Sequence, residues 1–251
     1  MKQKITAIIP TLNEEDFIED AIGSVSFADE IIVVDSFSTD KTVEIAEKNK
    51  VRVIQRKFDN FSNQKNYAIS KAKNDWIYIL DADERIPVEL RQEILNAMEN
   101  PNDIVGFNIY RKFYFLKIKI SYGGWQADKV IRLFRRDRCE YNGNLVHETI
   151  NFNGAIATFK SKIDHYSYRG YDHYVNKLNL YASFQAQELY ENKKRVNVFL
   201  ITLKPPFRFF VHYVIRRGFL DGYPGFILAT LHAFGVFTRY VKLWLLYKNE
   251  K

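Results

Sequence analysis

Two carboxylates two residues apart, Asp81 and Asp83, follow directly on the apolar run Trp76-Ile77-Tyr78-Ile79-Leu80. At the end of a buried strand such a pair converges on one hard divalent cation through oxygen ligands. A cation held there neutralises a diphosphate, serving as Lewis acid and as a clamp on a leaving group. The competing reading of Asp81, Asp83 and Glu84 is a solvated acidic turn that starts a helix. His165 extends the first reading as a third metal ligand, because imidazole joins carboxylates at manganese-type sites; beside Tyr166 it also reads as a packed core histidine. Arg132, Arg135 and Arg136 alternate across an expected strand and so do not all face one site. Arg132 is the candidate for phosphate or acceptor contact, and the other two are expected in solvent.

The elements that position these groups follow from the apolar pattern. Ile5-Thr6-Ala7-Ile8-Ile9, stopped by Pro10, reads as a buried first strand. A helix is expected over 14–26, a strand over Ile31 to Val34 ending in the turn Asp35-Ser36-Phe37-Ser38, a helix over 41–49 capped by Thr39 or Asp40, and a strand over 51–54. A helix over about 62–73 leads into the 76–80 strand, and another is expected over about 88–99. Strands alternating with helices at this spacing argue for βαβ units and a mainly parallel sheet. Functional residues then belong at the carboxyl ends of strands, where Asp35 and Asp81 fall. Strands of mixed orientation are expected over 104–118 and 129–135, and helices from about 171 onward.

Three motifs in order, Pro10-Thr11-Leu12-Asn13-Glu14-Glu15, Val33-Val34-Asp35-Ser36 and Leu80-Asp81-Ala82-Asp83-Glu84, resemble those of the family 2 glycosyltransferases. Gly124-Trp125, Arg132-Leu133-Phe134, Val146-His147-Glu148 and His165-Tyr166-Ser167-Tyr168 extend the similarity to about residue 180, toward the group that includes lipopolysaccharide-core glucosyltransferases. The resemblance implies the GT-A fold, a Rossmann-like α/β architecture whose mixed, mainly parallel sheet is flanked by helices, and sugar transfer from a nucleotide donor with inversion. It implies that Pro10, Thr11 and Leu12 line the base pocket, that Glu14 supports that loop, and that Asp35 accepts a hydrogen bond from the base; a carboxylate there suits uracil N3–H. Asp35 also reads as a turn former and helix N-cap. Lys65 falls where relatives carry a basic residue facing the nucleotide, often Arg, and also reads as a solvated helix lysine. Asp81 and Ala82 are implied in ribose or sugar contact and Asp83 in binding Mg or Mn.

An inverting transfer needs a base within hydrogen-bond reach of the acceptor hydroxyl. Glu148 is the first candidate and Asp128 the second, since the chain lacks the Glu-Asp pair common in the family. His147 orients the base or touches the acceptor, and Trp125 is placed with the acceptor. The expected partners are a nucleotide-sugar donor, a UDP-hexose for choice, and a lipid-linked or cell-envelope saccharide acceptor. Transfer to a polyprenyl phosphate is the alternative within the same fold. A nucleotidyltransferase is disfavoured because Pro10-Thr11-Leu12-Asn13 stands where a Gly-rich phosphate loop is usual.

Composition is that of a folded chain of 251 residues, 47% hydrophobic and 27% charged. The net charge of +7 is unevenly placed: residues 193–251 carry +9 and residues 1–192 carry −2. A catalytic domain is expected over 1–190 and a basic, aromatic helical extension over 191–251, docking on an anionic membrane surface. Packing on the catalytic domain or a subunit interface is the other reading of those helices. Gly222 to Thr238, the longest uncharged stretch there, contains Pro224, Gly225, His232 and Gly235 and falls short of a span, so no transmembrane helix is expected. No nucleic-acid motif accompanies the basic residues, and nucleic acid is not expected as a partner. The single cysteine, Cys139, suits a reducing compartment. The first residues lack a secretory pattern. A cytoplasmic protein is expected from these features, and with the basic aromatic tail one that sits peripherally on the inner face of the membrane.

Overall fold

The structure, a computed structural model, describes residues 2–142, 149–166 and 170–249. Its contacts divide the chain into two compact units, Met1–Arg111 with Asp128–His165, and Lys112–Ala127 with Tyr166–Lys251. The domain boundary expected at 190/191 falls at the end of one long helix, Tyr171–Glu191, of the second unit.

In the first unit the chain runs β1 (Ile5–Thr11), α1 (Ile18–Ser24), β2 (Glu30–Asp35), α2 (Thr42–Lys48), β3 (Arg52–Gln55), α3 (Phe61–Ser70), β4 (Trp76–Ile79), β5 (Glu84–Arg85), α4 (Val88–Ala97) and β6 (Ile104–Phe115), whose residues from Lys112 on belong to the second unit. Beyond β7 (Ile118–Lys119) it continues through β8 (Lys129–Arg135), β9 (Cys139–Tyr141), β10 (Ile150–Phe152), β11 (Ala155–Thr158) and β12 (Ile163–His165). The sheet order is β3-β2-β1-β4-β8-β6-β12-β5. The first four strands are parallel, β8 is antiparallel to both its neighbours, and β11 runs parallel beside β6. This is the mixed, mainly parallel α/β sheet flanked by helices that the alternating pattern predicts.

Both faces of that sheet are buried, which is why its strands read as unbroken apolar runs. Ile5, Ala7 and Ile9 of β1 share one core with Trp76, Tyr78 and Leu80, covered by α1 and α4. Ile8, Ile77, Ile79 and Phe134 face the other way, against Ala68 and Ile69 of α3. The pleat therefore decides in advance which helix each residue at a strand end will meet.

Some boundaries moved. The helix expected from 14 starts at Ile18, because residues 13–15 are tied instead to the loop after β2. Neither Thr39 nor Asp40 is the cap of the next helix: Lys41 holds that position without a side-chain hydrogen bond, and the Asp40 carboxylate accepts the Thr42 amide at 3.0 Å. The strand expected over 104–118 ends at Phe115, where Leu116 and Lys117 adopt φ of 50° and 64° and turn the chain into β7.

The second unit holds α5 (Tyr171–Glu191), α6 (Val198–Thr202), α7 (Lys204–Phe210), a π-helical turn over Val211–Ile215, a 3-10 turn over Gly218–Asp221 and α8 (Gly222–Asn249). The helices α5 and α7 pack on α8, and the loop before β8 is pinned by Asp221, whose carboxylate accepts the amides of Ser121 at 3.0 Å and Tyr122 at 2.8 Å. Gly225 lets two segments touch, since a Cβ there would lie 1.9 Å from the Gly218 carbonyl oxygen. The apolar helices run longer than the uncharged stretch Gly222 to Thr238. Val198–Ile215 and Gly218–Lys248 are each helical, long and apolar enough to cross a membrane by length and composition. Pro224 sits in the first turn of α8, where a missing N–H costs nothing, so the helix runs on through the residues that argued against it. At 28 residues it is about 42 Å long.

Candidate active site

The loop after β1 and the loop after β2 are laced together. Thr11 and Asp35 are register partners at the ends of adjacent strands, and both are buried. Thr11 Oγ1 donates to Asp35 Oδ1 at 3.4 Å, and Asp35 Oδ2 accepts the Ser38 amide at 3.0 Å and Gln55 Nε2 at 3.3 Å. Asp35 is thus a turn former, but α2 begins seven residues later and takes no cap from it. Asn13, at φ 56°, accepts the Thr39 amide at 2.8 Å, and the Glu14 amide donates to Thr42 Oγ1 at 2.8 Å. Pro10 pairs in register with Val34, and Leu12 stands 50% exposed on top of this bracket. An apolar side chain on a rigid, hydrogen-bonded rim beside a buried carboxylate is suited to a flat heterocycle with an N–H to donate.

Asp81 leaves the sheet on the α3 side, as the alternation of β4 requires. The pairing of Tyr78 with Leu133 puts Arg132 on that same face. Arg132 is 4% exposed, and its Nη2 donates to Asp81 Oδ2 and, at 2.6 Å, to Glu84 Oε1. Glu84 is wholly buried; its Oε2 accepts the Asp81 amide at 3.2 Å, and Arg111 Nη1 lies 3.7 Å from its Oε1. Arg111 in turn donates from Nε to Asp128 Oδ2 at 2.7 Å. The result is a continuous chain of alternating charge, Asp81–Arg132–Glu84–Arg111–Asp128. Lys65, expected on a solvated helix face or toward the nucleotide, is buried at 4% exposure, with its Nζ 5.1 Å from the Tyr141 ring.

These charges set the ionisation of the corner. Burial opposes an ionised Asp81, yet Arg132, then Lys65 and Arg111, outweigh it and hold its carboxyl well below the usual carboxylate range. For Glu84 burial wins over Arg132 and, helped by the charge of Asp81, pushes the carboxyl above its ordinary value. Arg132, in spite of burial, is held well above its usual value by the two carboxylates. A carboxylate kept ionised against burial, about a third exposed, is preorganised to accept hydrogen bonds from a ligand.

Asp83 lies on the other side of the same turn. β5 and β12 pair antiparallel with His165 opposite Glu84, and this brings His165 Nε2 to 3.4 Å from Asp83 Oδ2. A carboxylate and an imidazole converging at a strand end fit a borderline divalent ion. Among the described residues no third His, Cys, Asp or Glu joins them. The pair therefore suits an ion whose remaining ligands are phosphate oxygens and water, as magnesium and manganese commonly take. Ala82, buried between the two aspartates, and Arg85, whose Nη1 donates to the Ala82 carbonyl at 2.7 Å and whose Nη2 donates to that of Phe17 at 2.8 Å, fix the turn.

Other sequence candidates lie elsewhere. Glu148 and His147 fall outside the described residues. Trp125 belongs to the second unit, stacked on Phe113 at 5.1 Å between ring centres. Arg135 pairs with Asp137 at 2.8 Å, and Arg136 donates to the Ala72 carbonyl at 2.7 Å, both partly exposed as expected. Glu84 and Arg111 were not singled out from the sequence. A glutamate three residues past Asp81 could have been flagged, since it is spaced to reach back to that residue's amide.

Comparison with known proteins bears on this arrangement. The family model described as glycosyl transferase family 2 matches residues 6–160. An uncharacterized glycosyltransferase of Rickettsia felis is 34% identical over 260 residues, covering 96% of this chain and 89% of the relative. The lipopolysaccharide core biosynthesis glycosyltransferase LpsC of Rhizobium meliloti is 27% identical over 251 residues, covering 97% of this chain and 93% of LpsC. Among solved structures, a glucosyl-3-phosphoglycerate synthase of Mycobacterium tuberculosis, in complex with Mn2+, UDP and glucosyl-3-phosphoglycerate, shares 23% identity at a TM-score of 0.38, covering 43% of this chain and 44% of that one.

Proposed function

We propose, from the premise that this chain belongs to glycosyl transferase family 2 and is a glycosyltransferase, that it moves a hexose with inversion from UDP-hexose to a lipid-linked or lipopolysaccharide-type saccharide. The observation that carries this reading is the Asp81–Arg132–Glu84 chain standing beside the Asp83–His165 pair at the end of β4. One carboxylate is kept ionised to receive hydroxyls of the ribose or sugar, and the adjoining pair is set to share an ion with a diphosphate. The similarity to LpsC over nearly its full length supports an envelope saccharide as acceptor.

In this reading the uracil sits on Leu12 within the Pro10–Glu14 bracket and donates N3–H to Asp35. Asp81 takes the ribose or sugar hydroxyls beside Ala82, and Lys65 holds positive charge under that corner. Asp83 and His165 hold Mg or Mn, which when bound supplies positive charge against the departing diphosphate. Glu148 removes the proton from the acceptor hydroxyl as it attacks the anomeric carbon from the face opposite the diphosphate. Asp128 is the second candidate for that step, and its Oδ2 is already engaged by Arg111. Charge preorganised at the leaving group is the larger share of the catalysis.

The second unit is the part that meets the membrane. Tyr223 is 87% exposed, Phe207 66% and Phe199 65%, while Arg239 and Lys242 of α8 bond to Gln185 and Ser183 of α5. Exposed aromatic side chains in a tail that carries +9 over residues 193–251 suit docking on an anionic surface. In this reading the protein works peripherally on the cytoplasmic face of the membrane.

Thermal denaturation with UDP, GDP, ADP and UDP-hexoses, with and without manganese, tests the site. The reading expects stabilisation by UDP that needs manganese and that Asp83→Ala abolishes. UDP stabilisation of Asp83→Ala equal to wild type, insensitive to chelator, overturns it.

A further inference from the structure

The second unit contains a cavity of about 250 Å³ whose chemistry the transfer reaction does not use. Its walls come from α5, α7, α8 and the loop carrying Trp125. Its lining joins apolar Trp125, Leu178 and Val236 with cationic Lys177, Arg208 and Arg239, and no acidic residue is among the described residues that line it. Burial, and then the nearby charges of Arg239 and Arg216, push the Arg208 guanidinium below its usual value. Like charges gathered without an acid to balance them are held at a cost that an anion relieves.

Unpaired polar atoms point the same way. Arg239 gives Nη1 to Gln185 at 3.1 Å, but its Nε is buried with no hydrogen-bond partner among the described residues. His232 lines the cavity, packed edge-on to Trp125 with ring centres 4.8 Å apart, and its Nδ1 is also buried without a partner. Native proteins rarely leave buried polar groups unpaired, so these atoms call for a partner that the described residues do not supply.

We propose that this cavity binds a phosphoryl anion whose substituent packs on Trp125, Leu178 and Val236. Two guanidinium groups, planar forks that suit tetrahedral oxyanions, supply the recognition. The same chemistry is offered by a phospholipid headgroup and by a soluble phosphate. The proposal concerns residues of the second unit alone and does not depend on sugar transfer.

The test uses the full-length protein with two probes, inorganic phosphate at constant ionic strength and phosphatidylcholine vesicles doped with phosphatidic acid. Binding is followed by equilibrium dialysis for phosphate and by co-sedimentation for vesicles. Three variants are compared. Arg208→Gln/Arg239→Gln removes two charges from the cavity; Lys193→Gln/Lys194→Gln removes two exposed charges outside it; Ala182→Phe fills the cavity without altering charge. Far-ultraviolet circular dichroism and its thermal transition report whether each variant is folded. The expected result is a loss of about tenfold or more with the first and third variants and less than about twofold with the second. Loss on vesicles identifies the lipid as the source, and loss on phosphate alone identifies a soluble one. Equal losses from the two charge variants, with Ala182→Phe unaffected, or no binding of either probe by wild type, overturns the proposal. Should Ala182→Phe not fold, the two charge variants decide.

Discussion

Replacing Arg132 by methionine removes the one guanidinium shared by Asp81 and Glu84. Breaking a buried ion pair from one side costs about 3–5 kcal/mol, because the remaining charge is stranded out of water. Here the lower end applies: Asp81 is 35% exposed, and Arg111 stays 3.7 Å from Glu84. About 3 kcal/mol corresponds to a fall in Tm of about 6–12 °C for a chain of this size. The deficit depends on pH. Asp81, lowered in the native protein, contributes stability that is present above its unfolded value and lost as pH falls through the native one. Glu84, raised by burial, contributes stability that is full below its unfolded value and lost as pH rises. Losing Arg132 removes the first contribution and deepens the loss from the second, so the deficit is largest at neutral pH and shrinks toward about pH 4. Urea unfolding of wild type and Arg132→Met across that range measures it, and adding Glu84→Gln to the variant is expected to recover about 2 kcal/mol at pH 7. A deficit below about 1 kcal/mol, or one that is flat with pH, refutes the charge-chain account.

Glu148→Gln is expected to lower turnover by about 10²–10⁴-fold with little change in KM for the donor, while Asp128→Asn loses less; intact turnover in Glu148→Gln shifts the acceptor to a phosphate, which needs no strong base. Tyr78 Oη is buried with no hydrogen-bond partner among the described residues, so Tyr78→Phe should leave stability unchanged or raise it by up to about 1 kcal/mol in urea unfolding. Phe207→Ser combined with Ile215→Ser removes two side chains exposed at 66% and 63%, and should weaken co-sedimentation with anionic vesicles about tenfold or more without altering UDP-dependent stabilisation.

The parts of this molecule that a sequence makes legible are those set by local periodicity. The runs around Ile8 and Ile77 declared strands buried on both faces, and the strand-end rule then placed Asp35 and Asp81 where they stand. What stayed hidden depended on strands far apart in the chain. The approach of His165 to Asp83 exists because β12 pairs with β5, two strands of two and three residues that carry almost no signal of their own. Arg132 was expected to reach a phosphate; its burial against Glu84 follows from the β4–β8 register, which a single sequence does not state. Lys65 looked like a surface lysine because its helix is polar, and only the packing of α3 against β9 puts it under Tyr141. In the tail, proline and glycines counted as interruptions, yet their positions at the start of α8 and at a close helix contact left the helix whole.

The most direct measurement is an anomalous difference map from crystals of the full chain grown with UDP and manganese. The account predicts one manganese between the carboxylate of Asp83, the imidazole of His165 and the UDP diphosphate, with Asp81 hydrogen-bonded to the ribose and still held by Arg132. UDP bound with no anomalous peak at that corner, or a peak whose protein ligands exclude Asp83, contradicts it.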